Sequence, residues 1–230
     1  MGWILAGVVV LVLVGALLLF IRKVAGMKGE VDAARAEFLQ KVGYEYASGL
    51  TVGKPAGREK ITPDGKFSYH YEVYSEGGKR ITAQGWELAA SKPPRVTLQL
   101  IDKSLIGARQ ALMNLVGPVK RSMTVVYPGP HPIGDAELDA RFALHSPNAE
   151  AAADFVRKPE MKKALLELVS VTLLVSDSGA SFGDPGDANV YAPGSGASRT
   201  DLNPAPSIRS AARVHLAVER LLRISVGGNP

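Results

Sequence analysis

The chain has 230 residues, 46% of them hydrophobic and 21% charged, with a net charge of +5 at neutral pH. This composition is typical of a globular protein and excludes a chain that is disordered throughout. The absence of cysteine excludes disulfides, thiol nucleophiles and cysteine-based zinc or iron–sulfur sites.

An uninterrupted apolar segment opens the chain, from Trp3 to Ile21. As a helix it would be about 28 Å long, close to the hydrocarbon thickness of a bilayer. A core helix of a soluble protein would have a polar face, and this segment has none. A cleaved signal peptide would need a basic residue before the run and small residues after it, where Arg22 and Lys23 stand instead. The pattern therefore predicts a retained transmembrane anchor over residues 1–26.

The cations nearest to the anchor all follow it: Arg22, Lys23, Lys28, Arg35 and Lys41. Positively charged flanks stay on the cytoplasmic side. We therefore expect a single-pass signal-anchor protein of the cell (inner) membrane, with residues 27–230 forming one cytoplasmic domain. The GxxxG dimerisation pattern is absent, and the sequence leaves the oligomeric state open.

Apolar residues at helical spacing predict a helix from Glu30 to Val42. It is expected to continue from the anchor, with an interruption near Gly26 and Gly29. Gly43 is expected to end it. The next segment, residues 45–66, is rich in Gly, Pro and Lys and is predicted to be loop with one short strand.

The strongest strand signal is the alternation in "KFSYHYEVYS", residues 66–75. Turn residues flank it, and "KRITAQGWEL" (79–88) is predicted to be its hairpin partner. Further strands are predicted at 95–102, 119–127, 137–146 and 171–176, the last with a tight return through "DSGASF". Residues 103–117 fit a helix that Gly107 weakens.

Two short helices are predicted between these strands. Ser146 and Pro147 favour a helix start, with the helix over 148–158. Pro159 is expected to begin the second. Residues 183–206 contain mainly Gly, Pro, Ser, Ala and Asp, which predicts a long mobile loop. The whole pattern predicts an α+β fold, with about five to seven antiparallel strands covered by helices on one face.

A long C-terminal helix is predicted from Ser207 to Val226. Leu221 and Leu222 fall on its apolar side. Four arginines align on the opposite side: Arg209, Arg213, Arg220 and Arg223. They are either a solvated face or a contact for anionic headgroups or an acidic partner, for which arginine is well suited.

No catalytic residue, metal site or cofactor site is predicted. The four histidines, His70, His131, His145 and His215, show no metal-ligand spacing. The "DPGDAN" segment, with Asp184, Asp187 and Asn189, lacks the further carboxylates of a calcium loop, and no G-x-S-x-G motif is present. Tyr74 and Trp86 either form a stacking surface or pack beneath a helix.

The strand "RFALHS" (141–146), followed by "PNAEAAADFV" (147–156) and a second helix led by Pro159, resembles uncharacterised bacterial membrane-anchored proteins of unknown function. The resemblance implies an N-terminal anchor and a small α+β domain, and it brings no known activity.

These features favour a non-enzymatic membrane-tethered domain that binds a protein partner or the membrane surface. A nucleic-acid partner is not expected. One alternative is a small-ligand or lipid-binding module, with a sheet cavity closed by the C-terminal helix. The other is an enzyme whose site is built from the proline loop at 128–135 and the loop at 183–206.

Overall fold

The computed structural model of the chain describes residues 2–45, 58–76, 79–104, 126–168, 171–183 and 205–228. For residues 2–13, 70–84 and 207 it describes the backbone and not the side chains. The helices are α1 (Gly2–Val42), α2 (Ala136–Arg141), α3 (Ala149–Arg157), α4 (Pro159–Leu166) and α5 (Ala205–Ser225). The strands are β1 (Arg58–Thr62), β2 (Gly65–Glu76), β3 (Lys79–Ala90), β4 (Leu98–Asp102), β5 (Phe142–His145), β6 (Thr172–Ser176) and β7 (Gly179–Phe182).

The seven strands form one sheet in the order β1-β2-β3-β7-β6-β4-β5, and every neighbouring pair is antiparallel. The α+β prediction is confirmed. The β2–β3 hairpin and the tight β6–β7 hairpin also form as expected. Helix α5 packs against β3 and β7 of this sheet and against α1 and α4.

Helix α1 continues without a break through Gly26 and Gly29, so the expected interruption does not occur. The segment contains no proline, and an isolated glycine costs a helix only about 1 kcal/mol. The predicted boundary between residues 26 and 27 therefore falls inside a helix. Its last turns behave as predicted, since Phe38 and Val42 are buried and Gly43, at φ 84°, ends the helix.

The predicted membrane span is not supported by the fold. Among the residues that the structure describes, none of the helices combines the length and the apolar character needed to cross a membrane.

The prediction of one strand over residues 137–146 is wrong in its first half. Asp135 caps helix α2 by accepting the backbone N–H groups of Glu137 and Leu138, at 3.1 and 3.2 Å. The strand begins only at Phe142. Leu138 and Phe142 are four residues apart, so they satisfy a helical spacing as well as the alternation that suggested a strand.

Helix α3 is capped at Asn148, two residues after Ser146, where the sequence predicted the start. Asn148 provides the cap, with Oδ1 accepting the N–H of Ala151 at 3.2 Å. Ser146 instead donates its hydroxyl to the carbonyl oxygen of Thr97 at 2.7 Å, which ties the segment to the strand region. Helix α4 begins at Pro159 as predicted.

Several predictions lie wholly or mostly outside the described residues. These are the segments 103–117 and 119–127 and the loop at 183–206. Ala205 and Pro206, which were assigned to that loop, belong to the first turn of α5.

Candidate functional site

The four arginines of α5 and the leucines Leu221 and Leu222 near its end lie on different sides of the helix, as predicted. Leu221 and Leu222 are fully buried. The arginines, called the basic stripe below, are half-buried or exposed: Arg209, Arg213, Arg220 and Arg223.

Two members of the basic stripe pair with acidic residues on other helices. Arg209 Nε lies 3.2 Å from Oε2 of Glu37 on α1. Arg220 Nη1 lies 3.6 Å from Oε2 of Glu167, which follows α4. Hydrogen bonds from Lys41 and then Arg209 lower the pKa of Glu37. These arginines therefore face acidic partners across the contacts of α5, in exposed ion pairs that contribute little to stability.

A third member, Arg223, belongs to a partly buried charge network. Its Nη2 lies 2.8 Å from Oε1 of Glu219, and its Nε lies 3.7 Å from Oδ2 of Asp64. The Glu219 side chain is only 9% exposed, and Lys60 on β1 pairs with its other oxygen. Arg223 thus helps to neutralise a carboxylate that the fold has largely removed from water.

Arg213 differs from the other three. It is exposed, and it makes no ion pair with any residue in the described ranges. Leu216, on the same side of the helix, is 37% exposed. Arg213 is therefore the member of the basic stripe with no ion pair among the described residues, and the exposed Leu216 lies beside it.

Helices α1 and α5 run in the same direction along their contact. Glu37 pairs with Arg209 near the start of α5. Lys60 Nζ donates to the carbonyl oxygen of Val42 at 2.7 Å and also pairs with Glu219, further along α5. Residue numbers therefore increase together on the two helices, and the basic stripe runs lengthwise along α1.

The first half of α1 exposes apolar side chains on all sides wherever they are described. They are 44–71% exposed: Val14, Leu17, Leu18, Leu19, Phe20, Ile21 and Val24. The five consecutive positions 17–21 cover more than a full helical turn. This half is therefore not an amphipathic helix with one side against the domain, and an apolar surface of this kind marks a contact with a membrane or another protein.

A buried histidine joins α5 to the sheet. His215 is 3% exposed, and its Nδ1 accepts hydrogen bonds from Trp86 Nε1 at 2.8 Å and from the Tyr44 hydroxyl. Burial, with a smaller effect from Lys60, lowers the pKa of His215 to about 3. Burial also raises the pKa of Tyr44. Both groups are therefore uncharged near neutral pH.

The His215 cluster is structural and not catalytic. A general base needs a lone pair within reach of a substrate proton, and Nδ1 of His215 is occupied by two internal donors. The sequence analysis missed this cluster, since it considered His215 only as a possible metal ligand. Trp86 is 1% exposed beneath α5, so it packs under a helix and does not form a stacking surface. The side chain of Tyr74 lies outside the described residues.

The other histidines do not assemble a catalytic pair in the described part of the chain. His131 Nε2 lies 3.1 Å from the carbonyl oxygen of Ser146. His145 is 7% exposed, and burial lowers its pKa. The Ser146 hydroxyl donates to a backbone oxygen and so is not activated by a base. The side chain of His70 is outside the described residues.

Metal binding finds no support in the described ranges, where no group of three His, Asp or Glu side chains is arranged to hold an ion. The "DPGDAN" residues, Asp184, Asp187 and Asn189, lie outside those ranges. The enzyme alternative that uses the loop at 183–206 stays a prediction for the same reason.

A cavity of about 660 Å³ lies between α3 and the end of α5 and opens to solvent. Its lining is mixed, with Arg95, Lys158, Phe155 and Ile224 among the contributing side chains. It does not lie between the sheet and the middle of α5, where Trp86 packs against other ring side chains. The alternative of a sheet cavity closed by the C-terminal helix is therefore not supported there.

Comparison with protein-family models, with curated proteins and with solved structures gives no match for this chain. The resemblance to bacterial membrane-anchored proteins stays an expectation from the sequence.

Proposed function

We propose that the chain is a non-enzymatic, single-pass membrane-tethered domain that binds a protein partner or the membrane surface. The observation that carries the proposal is the change of environment along α1. Apolar side chains are exposed all round the helix from Val14 to Val24, whereas Ala34, Phe38 and Val42 are buried in the domain. The side chains of residues 2–13 lie outside the described ones, so the first half of the span rests on the sequence.

The tether is a rigid continuation of the domain. Helix α1 has no break between its exposed apolar half and its buried half. From Ile21 to Ala34 the helix rises about 20 Å. A flexible linker would let the domain explore many orientations, whereas a continuous helix holds it close to the bilayer in one. Such an arrangement suits a domain that presents one surface to a partner at a fixed height.

The proposed location is the cytoplasmic side of the cell (inner) membrane. Arg22, Lys23 and Lys28 follow the apolar run, whereas Met1 and Gly2 before it carry no cationic side chain. Cations flanking a span stay on the cytoplasmic side.

The basic stripe supports a protein partner better than a lipid surface. It runs along α1, so its arginines lie at different heights above a membrane that α1 crosses. Arg209 and Arg223 are about 21 Å apart along α5, well beyond the Debye length of about 8 Å at physiological salt. One flat anionic surface therefore cannot attract all four. The exposed pair Arg213 and Leu216 fits an acidic partner with an apolar contact beside its charge.

Membrane extraction of the full chain tests the tether. We expect the protein to stay in the membrane pellet after washes with high salt and with alkaline carbonate, and to dissolve only in detergent. Replacing Leu11 and Leu13 together with Arg should release it, because both lie at the centre of the run from Trp3 to Ile21, where charges are costly. Leu39→Arg is the matched control, since Leu39 is 47% exposed on the same helix outside the apolar run. Release of the wild type by salt alone would contradict the proposal.

Two further measurements test the proposed topology and processing. The mass of the extracted protein should equal that of the uncleaved chain. Protease added to intact cells should leave the domain uncut, and digestion from outside would show that the orientation is inverted.

A further inference from the structure

The β2–β3 hairpin is longer than the strands that flank it. Its pairs run from Gly65↔Ala90 to Glu76↔Lys79. Strand β1 pairs with β2 only as far as Tyr69, and β7 pairs with β3 only as far as Trp86. Beyond this point residues 70–76 and 79–85 pair with each other alone within the described part of the chain. The hairpin therefore projects past the neighbouring strands that the structure describes by about 23 Å, at about 3.3 Å per residue.

Contacts with α5 give the direction of this projection. The Phe67 ring lies beneath Lys60 Nζ, which pairs with Glu219. The Tyr69 ring lies 4.6 Å from the ring of His215. The residue number therefore increases along β2, from Phe67 to Tyr69, while the number of the residue that it faces on α5 decreases, from Glu219 to His215. Strand β2 therefore runs toward the start of α5, and so toward the start of α1.

Helix α1 provides a scale for how far the hairpin reaches. The Phe38 ring lies 5.4 Å from the His215 ring, so Phe38 is level with Tyr69. About 23 Å along a helix corresponds to about 15 residues. Counting back from Phe38 gives Lys23, where the apolar run of α1 ends. An inclined strand would end a few residues later, still close to Lys28.

The residue types at the end of the hairpin suit a lipid surface. Lys79 and Arg80 begin β3, Glu76 pairs with Lys79 and offsets one of these two charges, and Tyr74 is paired with Ile81 across the hairpin. Cations bind phosphate headgroups, and tyrosine and apolar residues favour the membrane interface. We propose that the end of the β2–β3 hairpin, with Lys79 and Arg80, docks on the anionic surface of the bilayer beside α1. The inference rests on the proposed tether and names a membrane contact other than the basic stripe.

The test uses the full chain reconstituted into lipid vesicles, with one fluorophore on one introduced cysteine. The chain has no cysteine of its own, so each label is unique. Ser75→Cys labels the end of the hairpin. Asp177→Cys labels the exposed β6–β7 turn, which lies at the opposite end of the sheet because Gly179 pairs beside Ala89. Leu18→Cys labels the apolar run.

Headgroup quenchers report contact with the surface, and acyl-chain quenchers report insertion. In vesicles of neutral phosphatidylcholine with added phosphatidylglycerol, we expect headgroup quenching at position 75 and none at 177. We expect acyl-chain quenching at position 18, which would show that the apolar run of α1 is inserted in the bilayer. Reversing Lys79 and Arg80 to Glu should reduce hairpin association by at least about tenfold, since each cation near an anionic surface contributes roughly fivefold.

Control variants separate the possible outcomes. Replacing Lys92 and Arg95 with Glu makes the same charge change beyond the other end of β3 and should leave quenching at position 75 unchanged. If headgroup quenching at position 75 is no greater than at position 177 while position 18 is still inserted, the docking inference is wrong and the proposed tether is unaffected. Loss of insertion at 18 would overturn the proposed function and this inference with it.

Discussion

Trp86 Nε1 donates a 2.8 Å hydrogen bond to Nδ1 of His215 and so connects the middle of the sheet to the middle of α5. The Tyr44 hydroxyl donates to the same nitrogen. Protonation of Nδ1 would leave the Trp86 N–H, which can only donate, facing another N–H in a buried site. The fold therefore requires a neutral imidazole at this position, which agrees with a pKa of about 3 in the folded state.

Acidification should destabilise the protein through His215. The unfolded-state pKa is near 6.5 and the folded pKa is lower, so below pH 6.5 the unfolded chain binds more protons than the folded one. Stability from this group is present above pH 6.5 and is lost as pH falls toward 3. We expect the free energy of unfolding to be about 2 kcal/mol lower at pH 5 than at pH 7.5, as measured by urea denaturation in detergent.

His215→Asn is the control for this pH effect. Its amide oxygen provides an acceptor near the place of Nδ1 but does not titrate in this range. The variant should lose the His215 contribution to the pH dependence. His145 contributes in the same direction, because its pKa is also lowered. The free energy of unfolding of the variant should therefore still fall with decreasing pH, but with a smaller slope. An identical slope in both proteins would show that His215 is not the titrating group.

Local sequence patterns predicted most of the described fold. The alternation in β2, the turn before β7 and the helical spacing in α5 each reflect an environment that repeats along one element. The first half of the strand prediction over 137–146 was wrong because the spacing of Leu138 and Phe142 satisfies both periods. Asp135 caps a helix at the start of that segment. This local signal was present in the sequence, but the prediction followed the alternation of apolar residues instead.

The candidate site was less predictable, because its contacts join distant parts of the chain. The helical period placed the basic stripe on the outer side of α5. It could not show that Glu37, Asp64 and Glu167 pair with three of the arginines. The His215 cluster likewise joins Tyr44, which follows α1, to residues of β2, β3 and α5, and no spacing along one element predicts that arrangement.

The arginines of the basic stripe should differ in their effect on stability. Arg213→Gln should change the free energy of unfolding by less than about 0.5 kcal/mol, because Arg213 is exposed with no ion pair among the described residues. Arg223→Gln should lower it by about 1–3 kcal/mol, since Lys60 would remain as the partner of the nearly buried Glu219. Urea denaturation of the two variants checks this, and equal effects would contradict the network.

The apolar side of α5 gives a second pair of matched variants. Leu222 is fully buried, so Leu222→Ala should lower the free energy of unfolding by about 2–5 kcal/mol. Leu216→Ala makes the same chemical change at a position 37% exposed and should cost less than about 1 kcal/mol. Denaturation midpoints of both variants against the wild type measure the difference. A Leu222 variant as stable as the Leu216 variant would contradict the burial of that side.

Glycine positions should respond in opposite ways to a methyl group. Gly179 begins β7 at φ 148°, and a Cβ there would lie 2.0 Å from the carbonyl oxygen of Leu88 on the neighbouring strand. Gly179→Ala should therefore separate β7 from β3 and lower the free energy of unfolding by at least about 3 kcal/mol. Gly29 lies in α1 with no atom within 4 Å of a Cβ, so Gly29→Ala should raise it by about 0.5–1 kcal/mol. Thermal unfolding of the two variants, followed by circular dichroism, measures both effects. A Gly179 variant that unfolds at the wild-type temperature would mean that β3 and β7 do not approach as closely as their register requires.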